Sequence, residues 1–292
     1  MNFSVMLKLS IFLKIIILSL DAAHFAAIAG ETPHWDYKNQ ENWRGICQTG
    51  LSQSPINLDA SSSLRYGIFF PLVVRNTGYF NDVVVVNNGH TVSVSLNCPN
   101  YAKPYISGAG LPGNYILDNI HFHWPSEHAI NEKYYDLEAH LVFYNDRHPN
   151  LNSALLEPFA VSVVGILFQV CREIVKVENC NETNHENFMA ISDAVQKVVR
   201  SVGQSVPATR GINVKDFFPN DIQKFFSYTG SLTTPPCTEH VIWFVMRDAS
   251  QILGDDLAGI SRIYTNEGEQ LTCTNRNRQK RNGRSICIHD SN

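Results

Sequence analysis

Charge is scarce in this chain. Of its 292 residues, 17% are Asp, Glu, Lys or Arg, where an average soluble domain carries about a quarter. Neither sign dominates, with 23 Lys plus Arg against 27 Asp plus Glu and a formal charge of −4. A chain without a basic excess lacks the usual means of gripping a phosphate backbone, so nucleic acid is not an expected partner. Past the N-terminal stretch no apolar run reaches the roughly 18 residues that a membrane-spanning helix requires. No two cysteines form a Cys-x-x-Cys pair, which argues against a thiolate metal site or a redox dithiol. Repeats and low-complexity linkers are also missing. What is abundant is apolar surface, 44% of residues, enough to fill one sizeable core.

Residues 1–29 have the layout of a secretory signal peptide. Lys8 and Lys14 precede the apolar run Ile15 to Leu20, and Ala27-Ile28-Ala29 supplies a small-x-small cleavage site. Cleavage after Ala23 is a second possibility. The run is too short for an uncleaved membrane anchor. Residues 30–292 then form a single domain, secreted and extracellular. Seven cysteines suit an oxidising compartment, where they tend to pair and leave one over. Asn181-Glu182-Thr183 is a sequon, making Asn181 the expected glycosylation site. The stretch Ser285 to Asn292 has no hydrophobic tail, so neither a GPI anchor nor a C-terminal span is expected.

The periodicity is that of a mostly β (α+β) domain. Pro71 to Val74, Val83 to Val86, Thr91 to Leu96 and Val241 to Val245 are short β-branched or aromatic runs between turn residues. Phe159 to Val170 reads as a buried strand. Asp193 to Val202 is the clearest helix, with Gly203 to stop it, and Asp221 to Phe226 is a second, shorter candidate.

Chemistry concentrates in the histidines. Asn119 to Trp124 reads as a strand, on which alternate side chains share a face. His121 and His123 therefore point one way, and Ile120, Phe122 and Trp124 the other. A second strand, Leu137 to Phe143, carries His140 with Glu138 on the same face. If the two strands lie side by side, His140 completes a three-imidazole set with an open fourth position, the ligand set of a catalytic zinc. Glu138 is then placed to accept the outer ring N–H of a ligand histidine. Ser126-Glu127-His128 adds a carboxylate nearby. Ser231 to Pro236 is a stiff loop in which Thr233, by donating its one proton to Glu127, would have to accept from an oxygen on the metal.

These segments identify a family. His34-Trp35-Asp36-Tyr37, Gln53-Ser54-Pro55-Ile56, Asn88-Gly89-His90, His121-Phe122-His123-Trp124, Ser126-Glu127-His128, Glu138 to Val142 and Gly230 to Pro236 occur in the order found in alpha-class carbonic anhydrases. The resemblance is to the secreted type and covers nearly all of 33–285. It implies a central, mostly antiparallel twisted sheet of about ten strands with small surface helices. It implies Zn2+ held by His121, His123 and His140, with Thr233 and Glu127 orienting the hydroxide and Glu138 behind His140. It implies reversible hydration of carbon dioxide to bicarbonate by attack of zinc-bound hydroxide, with His90 as proton shuttle. Val142, Val163, Leu232, Val241 and Trp243 match the apolar wall for carbon dioxide. Thr234 matches a residue contacting bicarbonate and anionic inhibitors, and sulfonamides are expected to inhibit.

Cys47 and Cys237 match the disulfide of exported members; Cys171 with Cys180 and Cys273 with Cys287 are further expected pairs, leaving Cys98. Three departures stand out. Asn119 replaces a longer glutamine behind the first ligand, so that bond is expected to be weak or water-mediated. Ser93 replaces an asparagine beside the shuttle. Arg276-Asn277-Arg278-Gln279 replaces an arginine-proline pattern, and the basic residues Arg276, Arg278, Lys280, Arg281 and Arg284 read mostly as a solvated edge, with an anion or partner patch as the alternative. Two other readings stay open: a silent relative acting as a binding module, which would usually have lost a ligand histidine, and an interaction protein, which would carry an acidic or repetitive insert.

Overall fold

The computed structural model describes residues 34–65, 70–171 and 184–290. The expected signal segment 1–29, the expected glycan site Asn181, and Cys180 lie outside the described residues. The described residues from Tyr37 onward make one compact unit.

A sheet of 13 strands dominates. In chain order they are β1 (Leu64–Arg65), β2 (Leu72–Arg75), β3 (Val83–Asn87), β4 (Val92–Leu96), β5 (Tyr105–Gly108), β6 (Tyr115–His123) and β7 (Leu137–Asn145). There follow β8 (Val161–Val170), β9 (Ser205–Pro207), β10 (Phe225–Ser231), β11 (Glu239–Met246), β12 (Ser250–Ile252) and β13 (Cys287–His289). The spatial order is β9-β3-β4-β6-β7-β8-β11-β10-β13-β1, with β12 on β8, β2 on β5 and β5 on β6. The sheet is mixed, with most pairings antiparallel as expected. Parallel pairing enters where β8 meets β11 and β12 and where β13 meets β1.

Alternation builds the two faces. In β4, Val92, Val94 and Leu96 are buried while Ser93 and Ser95 are not. The central strands β7 and β8 are covered on both sides, which is why they read as continuous apolar runs. One face, with Ile120, Phe122, Leu141, Phe143 and Ile166, packs against helix α1 (His185–Val198) through Phe188, Ile191 and Val195. The opposite face carries Val142, Val163, Val241 and Trp243. Burying a side chain of this size contributes about 1.5–3 kcal/mol.

Two expectations change. The helix begins eight residues before Asp193 and ends at Val198. Its buried stripe Phe188, Ile191, Val195, Val198 extends upstream through a polar start. Gly203, with φ 79°, instead turns the chain back so that its N–H reaches Asn87 O at 2.8 Å. Asp221 to Phe226 is not a helix. Asp221 Oδ1 accepts from Gln223 N at 3.0 Å in a turn, and Phe225 opens β10 opposite Met246. The aromatic pair at 225–226 is worth more in a paired strand than in half a helical turn.

Candidate metal centre

β6 and β7 lie antiparallel with His140 directly opposite His121 and Glu138 opposite His123. Two strands therefore bring three imidazoles onto one face. Their ring centroids are 5.1 Å (His121–His123), 5.2 Å (His121–His140) and 4.5 Å (His123–His140) apart. One nitrogen of each lies within 4.8 Å of the others.

Each ring is turned by an acceptor behind it. His121 Nδ1 donates to Asn119 Oδ1 at 2.9 Å, His123 Nδ1 to the Thr274 carbonyl at 2.6 Å, and His140 Nε2 to Glu138 Oε1 at 2.8 Å. The inward nitrogens are then His121 Nε2, His123 Nε2 and His140 Nδ1, all carrying lone pairs. The short Asn119 side chain thus reaches its ring directly, correcting the expected weak or water-mediated bond. Burial lowers all three imidazole pKa values, His123 to about 4 and His121 well below its ordinary range, with the neighbouring rings adding to the shift in His121. Neutral rings are the form that binds a metal.

Glu138 is saturated. It accepts from Glu127 N (2.8 Å), His128 N (2.7 Å), His128 Nδ1 (2.7 Å) and His140 Nε2. Burial alone would raise its pKa, but the His128 and His140 rings outweigh that and hold it well below the carboxylate range. The chain of bonds continues: Tyr228 O–H donates to His128 Nε2 at 2.7 Å, Ser54 O–H to Tyr228 Oη at 2.7 Å, and Ser231 N–H to Ser54 Oγ at 3.0 Å.

Glu127 is different. Its Oε1 accepts from Arg276 N at 2.7 Å, while its Oε2 is buried without a hydrogen-bond partner. That oxygen lies 3.6 Å from His123 Nε2, itself buried and unpartnered, and 3.9 Å from His140 Nδ1. Burial pushes the Glu127 carboxyl up to about 7, against a lowering influence of His140 and the Thr233 hydroxyl. Two orphaned buried atoms at one spot cost about 1–3 kcal/mol each. An ion held by three neutral imidazoles gives the His123 nitrogen its partner and sets a positive charge near the Glu127 carboxyl, so the residues fit a divalent metal.

The loop beyond β10 is tied down from several sides. Cys47 and Cys237 form a disulfide across 190 residues with Cα atoms 5.1 Å apart. Closing a loop that long contributes roughly 2–5 kcal/mol. Cys237 N donates to Thr234 O, and Leu232 N to Thr238 O. Thr233 is buried, as are Val142, Val163, Val241 and Trp243, against which Leu232 packs. Trp243 Nε1 donates to Ser231 O at 3.0 Å. Thr234 is half-buried in the same loop. His90 is half-buried in the turn between β3 and β4, its N–H held by Asn88 Oδ1 at 2.9 Å. Ser93, three residues on, faces His121 across the β4–β6 pairing.

Two further expectations are corrected. Cys273 and Cys287 are free thiols rather than a pair. Cys273 Sγ donates to Asn275 Oδ1 at 2.6 Å beside the Trp124 strand end, whereas Cys287 sits in β13 opposite Ser227. Cys98 is free and Cys171 is disulfide-bonded. Arg276 is not part of a solvated edge. Its guanidinium is buried and donates to Gln53 Oε1, the Ser54 carbonyl and the Cys47 carbonyl, each at 2.8 Å, with burial lowering its pKa to about 10. Arg284 likewise donates to the carbonyls of Thr229, Gln53 and Lys280. Sequence reasoning misses the parts played by His128, Tyr228, Ser54 and Thr274. Only a lone polar residue inside an apolar run, such as Tyr228 after Phe225-Phe226, hints at them.

No helix among the described residues is long and apolar enough to cross a membrane. The profile of the eukaryotic-type carbonic anhydrases matches residues 33–290. A putative carbonic anhydrase 5 of Caenorhabditis elegans is 28% identical over 93% of this chain and 88% of its own. Human carbonic anhydrase 6 is 34% identical over 68% of this chain and 62% of its own. A carbonic anhydrase of Klebsiella pneumoniae is 28% identical over 87% of this chain and 90% of its own. With the match running through both histidine strands and the threonine loop, the chain belongs to the eukaryotic-type carbonic anhydrases and is a carbonate dehydratase.

Proposed function

We propose that this chain is a secreted zinc enzyme that hydrates carbon dioxide to bicarbonate and a proton, with His121, His123 and His140 as ligands. The observation that carries the reading is the set of three rings, His123 and His140 buried and His121 half-buried, each tied by its outer nitrogen and aimed by its inner one at the others. Zinc, when bound, supplies a Lewis-acid position that lets water ionise near neutral pH.

The protein's own groups do the orienting. Thr233, whose hydroxyl lowers the Glu127 pKa, is the proposed donor of a single proton to the unpartnered Glu127 Oε2. The Thr233 oxygen must then accept, which aims a lone pair of the attacking oxygen at the substrate. Arg276 N–H and Glu138 hold Glu127 in place from behind. Val142, Val163, Leu232, Val241 and Trp243 give carbon dioxide an apolar seat that excludes water. Thr234 offers a hydroxyl to bicarbonate, to anionic inhibitors and to sulfonamides. His90 carries the proton from the site to buffer, since an imidazole titrates near about 6.5. Export is supported by the 1–29 pattern and the Cys47–Cys237 bridge. Within the domain at 30–292, Asn181 is the proposed glycan site.

The test is metal analysis with a carbon dioxide hydration assay on the purified chain and two variants. The parent should bind one zinc and show sulfonamide-sensitive hydration. His121→Ala should lose metal and activity together, by more than the roughly 10–100-fold that loss of a ligand's hydrogen-bond partner costs. His90→Ala should keep its zinc, turn over more slowly in weak buffer and recover with imidazole. A zinc-loaded parent inert toward carbon dioxide, or His121→Ala with full zinc, would contradict the assignment.

A further inference from the structure

The alternation of β6 breaks at one place. Leu117 and Ile120 are both buried in the main core, and the two residues between them, Asp118 and Asn119, both lie off it. Successive residues of a regular strand face opposite sides. The register explains the break: Phe143 pairs with Leu117 and its neighbour Val142 with Asn119, so Asp118 is the extra residue of a β-bulge. Bulges re-aim side chains beside functional sites. Here the bulge sets Asp118 and Asn119 side by side, and Asn119 Nδ2 donates to Asp118 Oδ2 at 2.9 Å.

We propose that Asp118 is a positioning residue for His121, fixing which end of the Asn119 amide faces the ring. This rests on His121 being a metal ligand. An amide has an accepting end and a donating end of nearly the same shape. With Oδ1 toward the ring, His121 keeps its proton on Nδ1 and its lone pair on Nε2, facing the other histidines. With the amide reversed, Nδ2 would meet Nδ1, favour the other tautomer and put a proton where the metal belongs. A carboxylate only accepts, so Asp118 admits Nδ2 and repels Oδ1. The reversed amide is thereby opposed at both ends. The carboxylate also polarises the amide, strengthening Oδ1 as the acceptor that holds the ring. The bulge and the acid together let the shorter Asn119 side chain do a job that depends on both reach and orientation.

The test reads zinc affinity by chelator competition on the full chain, with the fold of each variant checked by circular dichroism. Asp118→Ala should weaken zinc binding about three- to tenfold, less than the roughly 10–100-fold expected for Asn119→Ala, whose side chain touches the ligand. Adding Asp118→Ala to Asn119→Ala should change affinity no further, because the proposed influence passes only through that amide. Asp118→Asn, which retains an accepting oxygen, should lie nearer the parent than Asp118→Ala. An unchanged affinity in Asp118→Ala, an equal loss with and without Asn119, or Asp118→Asn matching Asp118→Ala would overturn the proposal while leaving the site intact. Retention of full zinc by His121→Ala would overturn both.

Discussion

His140 belongs to two clusters at once, one with His121 and His123 and the other with His128 and Glu138. The first is three imidazoles with His121 half-buried, the second two imidazoles and a carboxylate, all buried, and the hydrogen bonding differs as well. Around Glu138 every donor has an acceptor, from Glu127 N through His128 and Tyr228 to Ser54. Around His123 the inward nitrogen and Glu127 Oε2 are left unmade. A closed network of buried polar groups rigidifies a fold, and a half-made one costs stability. Completion of the hydrogen bonding separates scaffold from site: one cluster holds the strands together and the other is kept open for something to enter.

The largest test of that contrast breaks the closed cluster. Glu138→Gln sets an amide N–H against a donor and leaves His128 and His140 without their carboxylate. Unfolding of the metal-free chain in urea should show a loss of about 3–5 kcal/mol, the usual cost of removing one partner from a buried charged pair. An effect confined to metal binding would mean that the cluster is not structural.

A second test uses pH on the metal-free chain. His123 is depressed from 6.5 to about 4, and His121 and His140 are also lowered. A base depressed on folding contributes stability above its unfolded pKa and loses it as pH falls toward the folded one. Glu138, held low, acts in the same direction. Glu127, raised to about 7, acts oppositely, since it gains stability as pH falls below 7. Three imidazoles outweigh one carboxyl, so stability should decline between pH 6.5 and 4. The loss should reach a few kcal/mol, because each tenfold change in proton affinity is worth roughly 1.4 kcal/mol. Bound zinc should steepen the loss, because protons and metal compete for the same nitrogens. A flat profile from pH 6.5 to 4 would contradict the burial argument.

The smallest effect sharpens the boundary. Tyr228→Phe removes one hydroxyl from the far end of the closed chain and should cost about 1 kcal/mol, with zinc affinity retained. Loss of zinc as severe as in Glu138→Gln would show that the two clusters are not separable.

Much of the centre is legible because strand periodicity is simple. His121 and His123 follow from alternation alone, and Glu138 with His140 from the same rule on the next strand. That the strands are neighbours needs the family resemblance. What escapes depends on long-range or broken periodicity. The acceptor behind His123 is a backbone carbonyl 151 residues away, which no side-chain pattern announces. Arg276 looks like one more surface cation until Gln53, Ser54 and Cys47 are folded around it. The bulge at Asp118 violates the very alternation from which the site is read. The start of the helix at 185–198 is concealed because its first turn, His185-Glu186-Asn187, is polar and hides the stripe that follows.

X-ray absorption at the zinc edge on the zinc-loaded full chain tests the central claim most directly. Three imidazole nitrogens and one light oxygen at about 2.0–2.1 Å, with imidazole outer-shell scattering and no sulfur, is the predicted result. Sulfur at about 2.3 Å, or fewer than three imidazoles, would contradict it.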